Sequence, residues 1–261
     1  MQPVLKIAIK AARRAGSIIL RHANRLDTLN IENKGRNDFV SEVDHMAEQD
    51  IINTIRQAYP DHAILAEESG SHQGNNFEWV IDPLDGTTNF LHGYPNYAVS
   101  IAMKHRGKLE AAVVFDPLRD ELFTAYRGEG AQLNDRRIRV SGVKRMENAL
   151  LGTGFPFRNK DNLEPWIAIF REFVGNTSGV RRAGSAALDL AHVASGRLDG
   201  FWEFGLNTWD IAAGCLLIQE AGGMVSGFGG SNDFLETGNV LAGSPEIYDQ
   251  MLPIIKNIHT G

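Results

Sequence analysis

Residues 79–90 read Trp79-Val80-Ile81-Asp82-Pro83-Leu84-Asp85-Gly86-Thr87-Thr88-Asn89-Phe90. The apolar start predicts a buried strand, and it ends abruptly on two carboxylates three residues apart. Pro83 fixes its own φ and pushes Asp82 towards an extended conformation, so the chain turns as soon as the strand stops. Gly86 lets backbone approach a ligand closely, and Thr87 and Thr88 add hydroxyls and N–H groups. Paired carboxylates beside bare amides suit a hard cation bridged to a phosphate. The competing reading is that Asp-Pro-Leu-Asp-Gly is only a good β-turn. The chain carries its own control for that reading. Asp116-Pro117-Leu118-Arg119-Asp120 lies between the strand-like runs Ala111–Phe115 and Glu121–Tyr126, reads as an ordinary hairpin connection, and has no Gly-Thr-Thr after it. On the first segment alone, function and turn are evenly matched.

Working outward, residues 3–24 place Leu5, Ala8, Ala12, Ala15 and Ile19 on one face, which predicts an amphipathic helix. A second helix is expected from Ser41-Glu42-Val43-Asp44, which has capping-box spacing, to Pro60. His62–Ala66 reads as a strand ending on Glu67-Glu68. Beyond the opening segment, Ala98–Lys104, Leu109–Phe115 and Glu121–Tyr126 read as adjacent strands of a meander. The second half alternates types, with helices over 163–174, 186–194 and 209–221, strands over 200–204 and 239–243, and a helix from Pro245. The pattern predicts an α+β half with an antiparallel sheet over 1–140 and an α/β half over 141–261, acting as one functional unit.

With 261 residues, the chain is long enough to bury a sizeable core. A net charge of -6 argues against a general binder of nucleic acid or anionic membrane. The single cysteine, Cys215, excludes an internal disulfide framework or a cysteine zinc site and reads as a small core residue. Lys6, Lys10, Arg13 and Arg14 interrupt the N-terminal apolar pattern, so no signal peptide is expected, and no apolar run is long enough to cross a bilayer. A cytoplasmic protein is expected. H-E-x-x-H, G-x-S-x-G and Walker-type runs are absent from the sequence, which removes zinc protease, serine hydrolase and nucleoside-triphosphatase readings.

Asp210 opens the apolar pattern Ile211–Ile218, where an aspartate N-cap is the common role. Asp44 has a similar alternative as the acidic member of its capping box. Acidic pairs such as Glu67-Glu68 are usually solvated loop charges. Taken together, however, several strand or helix ends present carboxylates, one of them with a phosphate-like cradle attached.

That combination resembles the inositol monophosphatase family, at its bacterial SuhB-type branch. The resemblance rests on Glu67-Glu68, the run Asp82 to Phe90, and Trp209-Asp210-Ile211-Ala212-Ala213-Gly214. Lys34, Asp38-Phe39-Val40, Asp44, Gly152-Thr153-Gly154-Phe155-Pro156-Phe157 and Gly184-Ser185-Ala186-Ala187 extend it over essentially the whole chain, in family order. It implies the layered α/β sandwich shared with fructose-1,6-bisphosphatase. It also implies a magnesium-dependent phosphomonoesterase. Glu67, Asp82 and the Leu84 carbonyl would hold one ion; Asp82, Asp85 and Asp210 would hold a second. A third, weaker ion would sit on Glu67 among waters. Glu68 and Thr87 would orient the attacking water, with Asp44 accepting from Thr87, and the amides of Gly86 and Thr87 would hold the phosphate.

Asp85, Gly184, Ser185, Ala186 and Glu203 would read the organic part of the substrate. Carboxylates accepting from vicinal hydroxyls suit a polyol such as inositol. Ser185 stands where the family often has threonine, and Asn207-Thr208 precede Trp209 where other members carry His, Arg, Pro or Cys. This leaves open the choice among inositol phosphate, fructose bisphosphate and other sugar phosphates, and nucleotide phosphates. Arg181 and Arg182 read either as contacts or as solvated strand-end charges. The resemblance further implies a homodimer and, as a function of another class, transcription antitermination through Nus factors and RNA polymerase.

Overall fold

The computed structural model describes residues 2–23, 31–35, 38–156 and 159–259, with the side chains of 31–41 outside that description. Lys34, Asp38, Phe39 and Val40 as side chains, the Ser41 hydroxyl of the expected capping box, and Phe157 therefore lie outside the described residues.

The order is α1 (Pro3–His22), the hairpin β1 (Ile31–Gly35) and β2 (Asp38–Ser41), α2 (Glu42–Ala58), β3 (Ala63–Ala66), β4 (Gly70–His72), β5 (Phe77–Asp85), α3 (Thr87–Leu91), β6 (Ala98–His105), β7 (Lys108–Asp116), β8 (Glu121–Tyr126), β9 (Gly130–Leu133) and β10 (Arg136–Arg137). The second half follows with β11 (Leu150–Thr153), α4 (Leu163–Asn176), β12 (Gly179–Arg181), α5 (Ala186–Ala194), β13 (Gly200–Glu203), α6 (Thr208–Glu220), β14 (Met224–Ser226), α7 (Phe234–Thr237), β15 (Val240–Gly243) and α8 (Pro245–His259).

An eight-stranded sheet runs β10-β9-β8-β7-β6-β5-β3-β4, and a five-stranded sheet runs β12-β11-β13-β15-β14. The expected meander is present as β6, β7 and β8, antiparallel with short turns. The first sheet is not wholly antiparallel, because β3 lies parallel to β5 while β4 folds back on β3 as the edge. The second sheet is mixed: β11 is parallel to β12 and β13, and β13 and β14 are antiparallel to β15. Three-to-four-residue strands such as β11, β12 and β14 carry too little period-2 pattern to stand out in the sequence.

Burial divides the chain into layers. α1 and α2 cover one face of the large sheet, with Ala8, Ala12, Ile51 and Ile55 packed against Ile81, Ile101 and Val113. α5 and α6 lie between the two sheets, joining Val80, Val114 and Phe123 on one side to Phe201 and Ala242 on the other. α4 and α8 close the far face around Trp166, Phe173, Trp202 and Met251. The sandwich is thus helix, sheet, helix, sheet, helix. It explains two composition patterns. α6 is apolar all round, from Ile211 to Ile218, because both its sides are covered. Cys215 is one of its core side chains, as expected.

These layers bring the carboxyl ends of β3, β5 and β13 to the amino ends of α5 and α6. Five chain ends meet in one cleft.

Candidate active site

The β3–β5 ladder sets the first two carboxyl groups side by side. Glu67 N–H donates to the Ile81 carbonyl at 3.1 Å, continuing the parallel pairing past Ala66 and holding Glu67 next to Asp82. Between Asp82 and Asp85 the pairing with β6 slips, Asp82 facing Ser100 and Asp85 facing Ala98, so one residue bulges out. A bulge re-aims side chains, and here it brings the second carboxylate towards the cleft. Asp82 Oδ1 accepts from Leu84 N–H at 3.0 Å, which closes the turn. Gly86 follows with φ 98, and a Cβ there would stand 2.9 Å from the Asn96 carbonyl, so only glycine fits.

Thr87 Oγ1 lies 3.0 Å from both Asp44 Oδ1 and the Leu84 carbonyl, two acceptors for one proton. Asp85 is oriented from the other half of the chain. Its Oδ2 accepts from Ser185 Oγ at 2.6 Å and from Ala187 N–H at 2.8 Å, tying the end of β5 to the start of α5. Asn89 adds a second tie, with Nδ2 2.7 Å from the Asn96 carbonyl and 2.9 Å from the Ala183 carbonyl. In α6 the N-cap is Asn207, not Asp210. Asp210 stands three residues on and closes the capping box, accepting from Asn207 N–H at 2.7 Å. The aspartate N-cap alternative is therefore corrected, and Asn207 has a structural role.

These elements surround a cavity of about 370 Å³, a size for a small molecule. Glu67, Asp82, Leu84, Asp85, Gly86, Thr87, Gly184, Ser185, Ala186, Glu203 and Asp210 all line it. Of the other candidates, Glu68 and Asp44 are not on its wall. Glu68 follows Glu67 in the turn after β3, whereas buried Asp44 reaches the cleft through Thr87. Arg182 lines the cavity and stacks on Phe155, its guanidinium carbon 4.8 Å from the ring centroid, while Arg181 does not line it. Asp189 on α5 is a lining residue that the sequence did not single out, because a lone aspartate within an apolar helix carries no motif.

Among the described residues the lining carries the carboxyl groups of Glu67, Asp82, Asp85, Asp189, Glu203 and Asp210 against a single cation, Arg182. The field shows in the acidities. Asp82, 1% exposed, is held well above the ordinary carboxylate range, by burial first and then by the charges of Glu67, Asp85 and Asp210. Glu203 is pushed up by burial and then by Asp189 and Asp210, with Arg182 opposing. Its carboxyl lies against Gly154, where a Cβ would collide with Glu203 Oε1. Asp189 is raised by burial and then by Asp85, again opposed by Arg182. No three His, Cys, Asp or Glu side chains among the described residues form a ready-made metal cage. The carboxyl groups share a cleft and a field, and an ion would have to draw them together.

The chain matches the model of the inositol monophosphatase family over residues 1–260. It is 57% identical to a Pseudomonas aeruginosa protein named Nus factor SuhB, over 98% of this chain and 97% of that one. Its fold superposes on a crystal structure of extragenic suppressor protein SuhB from Bartonella henselae with a TM-score of 0.95 and 43% identity, covering 98% of this chain and 99% of that one. It also superposes on inositol monophosphate-bound SaIMPase-II with a TM-score of 0.83 and 28% identity, covering 99% of this chain and 95% of that one. The family is generally metal-dependent. This chain belongs to the inositol monophosphatase family.

Proposed function

We propose that the protein is a magnesium-dependent phosphomonoesterase that hydrolyses inositol monophosphate to inositol and phosphate. The observation that supports this best is the unbalanced cleft, with six acidic side chains, Glu67, Asp82, Asp85, Asp189, Glu203 and Asp210, against Arg182. A phosphate monoester entering that field is repelled unless hard cations accompany it. The described lining offers oxygen donors and no imidazole or thiolate, which suits magnesium over zinc or copper. Glu67, Asp82 and the Leu84 carbonyl would hold one ion, and Asp82, Asp85 and Asp210 a second, with Glu67 offering a weaker third place. Bound there, magnesium supplies charge neutralisation and a more acidic water.

The protein's own groups do the positioning. With its proton donated to Asp44, Thr87 Oγ1 presents a lone pair to the attacking water; the orienting role that the family resemblance implies for Glu68 would have to act from off the cavity wall. The bonds from Ser185 Oγ and Ala187 N–H hold the Asp85 carboxylate in one orientation, and Asn207 N–H does the same for Asp210. The amides of Gly86 and Thr87 hold phosphate oxygens. Asp85, Gly184, Ser185, Ala186 and Glu203 read the hydroxyls of the organic group. Inositol is preferred over fructose bisphosphate and other sugar phosphates because SaIMPase-II, of the same fold, binds inositol monophosphate.

The deciding experiment measures phosphate release from inositol 1-phosphate beside a panel of sugar phosphates at fixed magnesium. Turnover that survives exhaustive chelation would overturn the metal assignment. Lithium is expected to inhibit where sodium does not, and calcium to inhibit because it prefers longer, looser coordination.

A second reading comes from the relative named Nus factor SuhB. In it the protein acts in the cytoplasm as a homodimer that associates with Nus factors and RNA polymerase in antitermination, with or without phosphatase activity. Asp82→Asn separates the two, because it removes turnover and leaves the outer surface as it was. Loss of association in that variant would tie the two activities to one site.

A further inference from the structure

Helix α2 buries two carboxylates one turn apart, Asp44 at 0% and Glu48 at 3% exposure. Like charges at this spacing oppose the helix, and burying both adds a desolvation cost. Each is offset by a partner off the helix. Asp44 accepts from Thr87 Oγ1 at 3.0 Å. Glu48 spans two successive backbone amides, its Oε2 accepting from Glu68 N–H at 2.8 Å and its Oε1 from Ser69 N–H at 2.8 Å. Because Glu67 N–H is already bound to Ile81, three consecutive amides of this turn are fixed, one by β5 and two by Glu48. Neither Asp44 nor Glu48 lines the cavity.

We propose that Glu48 is a positioning residue, and that with Asp44 it makes α2 a bracket holding the Glu67–Glu68 turn and the Thr87 hydroxyl in one register. The inference rests on the phosphatase reading of the cleft. Glu48 touches neither substrate nor ion. It acts through the peptide backbone, where a small rotation of the turn would swing the Glu67 carboxylate away from Asp82. Glutamine at 48 keeps the shape but turns an N–H donor towards one of the two amides. Aspartate keeps the charge but is one methylene too short to span both.

The test uses the full chain with Glu48→Gln, Glu48→Asp, Asp44→Asn and the double variant Asp44→Asn/Glu48→Gln. Amide hydrogen exchange at Glu68 and Ser69, calorimetric magnesium titration, thermal melts and steady-state kinetics on inositol 1-phosphate are read together. Both Glu48 variants are expected to speed exchange at the two amides and weaken magnesium binding. They should lower kcat about tenfold or more, because misplaced groups lose alignment first, with KM within about twofold. The double variant should lose less than the product of the single losses, since both residues serve one register. A lower melting temperature with unchanged kcat and unchanged magnesium affinity would reduce Glu48 to a turn cap and overturn the inference. Unchanged exchange at Glu68 and Ser69 would overturn it as well. If Glu48→Gln does not fold, the charge-retaining Glu48→Asp decides by the same readouts. A wild type that binds magnesium yet hydrolyses no ester would sink the phosphatase reading, and the exchange and calorimetric arms would still judge the bracket. A wild type that binds no magnesium would sink both.

Discussion

Asp82-Pro83-Leu84 and Asp116-Pro117-Leu118 are the same tripeptide, the first at the bulge that ends β5 and the second in the hairpin connection from β7 to β8. In each, the aspartate is buried, 1% and 0% exposed, and its Oδ1 accepts from the N–H two residues on, at 3.0 Å and 2.9 Å. They part at the next residue. Arg119 Nη1 reaches back to Asp116 Oδ2 at 2.6 Å, so the second turn neutralises its own buried charge. The first continues with Asp85 instead, and Asp82 is pushed up by burial first and then by Glu67, Asp85 and Asp210, all acidic. One turn is closed within the chain. The other accumulates like charge at the mouth of a cavity, an arrangement that costs stability and is kept only where a ligand offsets it.

The largest expected effect separates the two aspartates. Asp82→Asn should lower kcat by at least about 10²-fold, the scale of losing one preorganised electrostatic group, without lowering the melting temperature. Asp116→Asn should do the reverse, costing about 1–3 kcal/mol for the weakened bond to Arg119, with turnover intact. Melts and kinetics on both variants check this. A destabilised Asp82→Asn with normal turnover would make the two turns equivalent.

Thr87→Ala and Asp44→Asn come next. Both should lower kcat by about 10²-fold, as for loss of a proton-transfer partner, with KM little changed. The capping alternative for Asp44 gives another result, a loss of about 0.5–2 kcal/mol with turnover retained. Smaller again is the effect of magnesium on melting. An ion that binds the folded cleft should raise the melting temperature of the wild type and of Asp116→Asn, and raise that of Asp82→Asn less. Equal shifts in all three would place the ion elsewhere.

The neighbourhood of Asp116 also carries a pH signature. His192 on α5 is lowered to about 4, by burial first and then by Arg197, with Asp116 and Glu121 opposing. Its folded value lies below the unfolded 6.5, so the neutral form stabilises the fold. That contribution should be complete above about pH 6.5 and fade as pH falls towards about 4. His192→Gln should flatten the acid limb of melting temperature against pH. The smallest effect is the shared one. Pro83→Ala and Pro117→Ala should each cost about 0.4–1 kcal/mol through the unfolded chain, and similar losses would show that the turns differ in charge and not in backbone.

Much of this site was legible in the sequence because its parts are contiguous. Asp82 to Thr88 is one segment in which proline, glycine and carboxylates sit at positions that each demand them. α1 was visible through helical periodicity, and α6 through the apolar pattern that Asp210 opens. The short strands β11, β12 and β14 were not, since a strand of three or four residues, central like β11 or at an edge like β12 and β14, is specified by its neighbours more than by its own pattern. Asp189 and Glu48 stayed hidden for a related reason: each is an isolated acid whose partners are far away in the chain.

By itself, then, the sequence determined the local chemistry. It showed which residues turn the chain, which face of α1 is apolar, and which segments carry carboxylates beside free amides. Only the tertiary structure decided which acids share a field. Asp210 is 128 residues from Asp82, yet it helps to raise the pKa of that group, while Asp116, with the same local sequence, is neutralised three residues on. The physical reason is range. Backbone preferences act over a few residues, whereas electrostatic and hydrogen-bond partners are chosen by distance in space, and space is arranged by the layered packing.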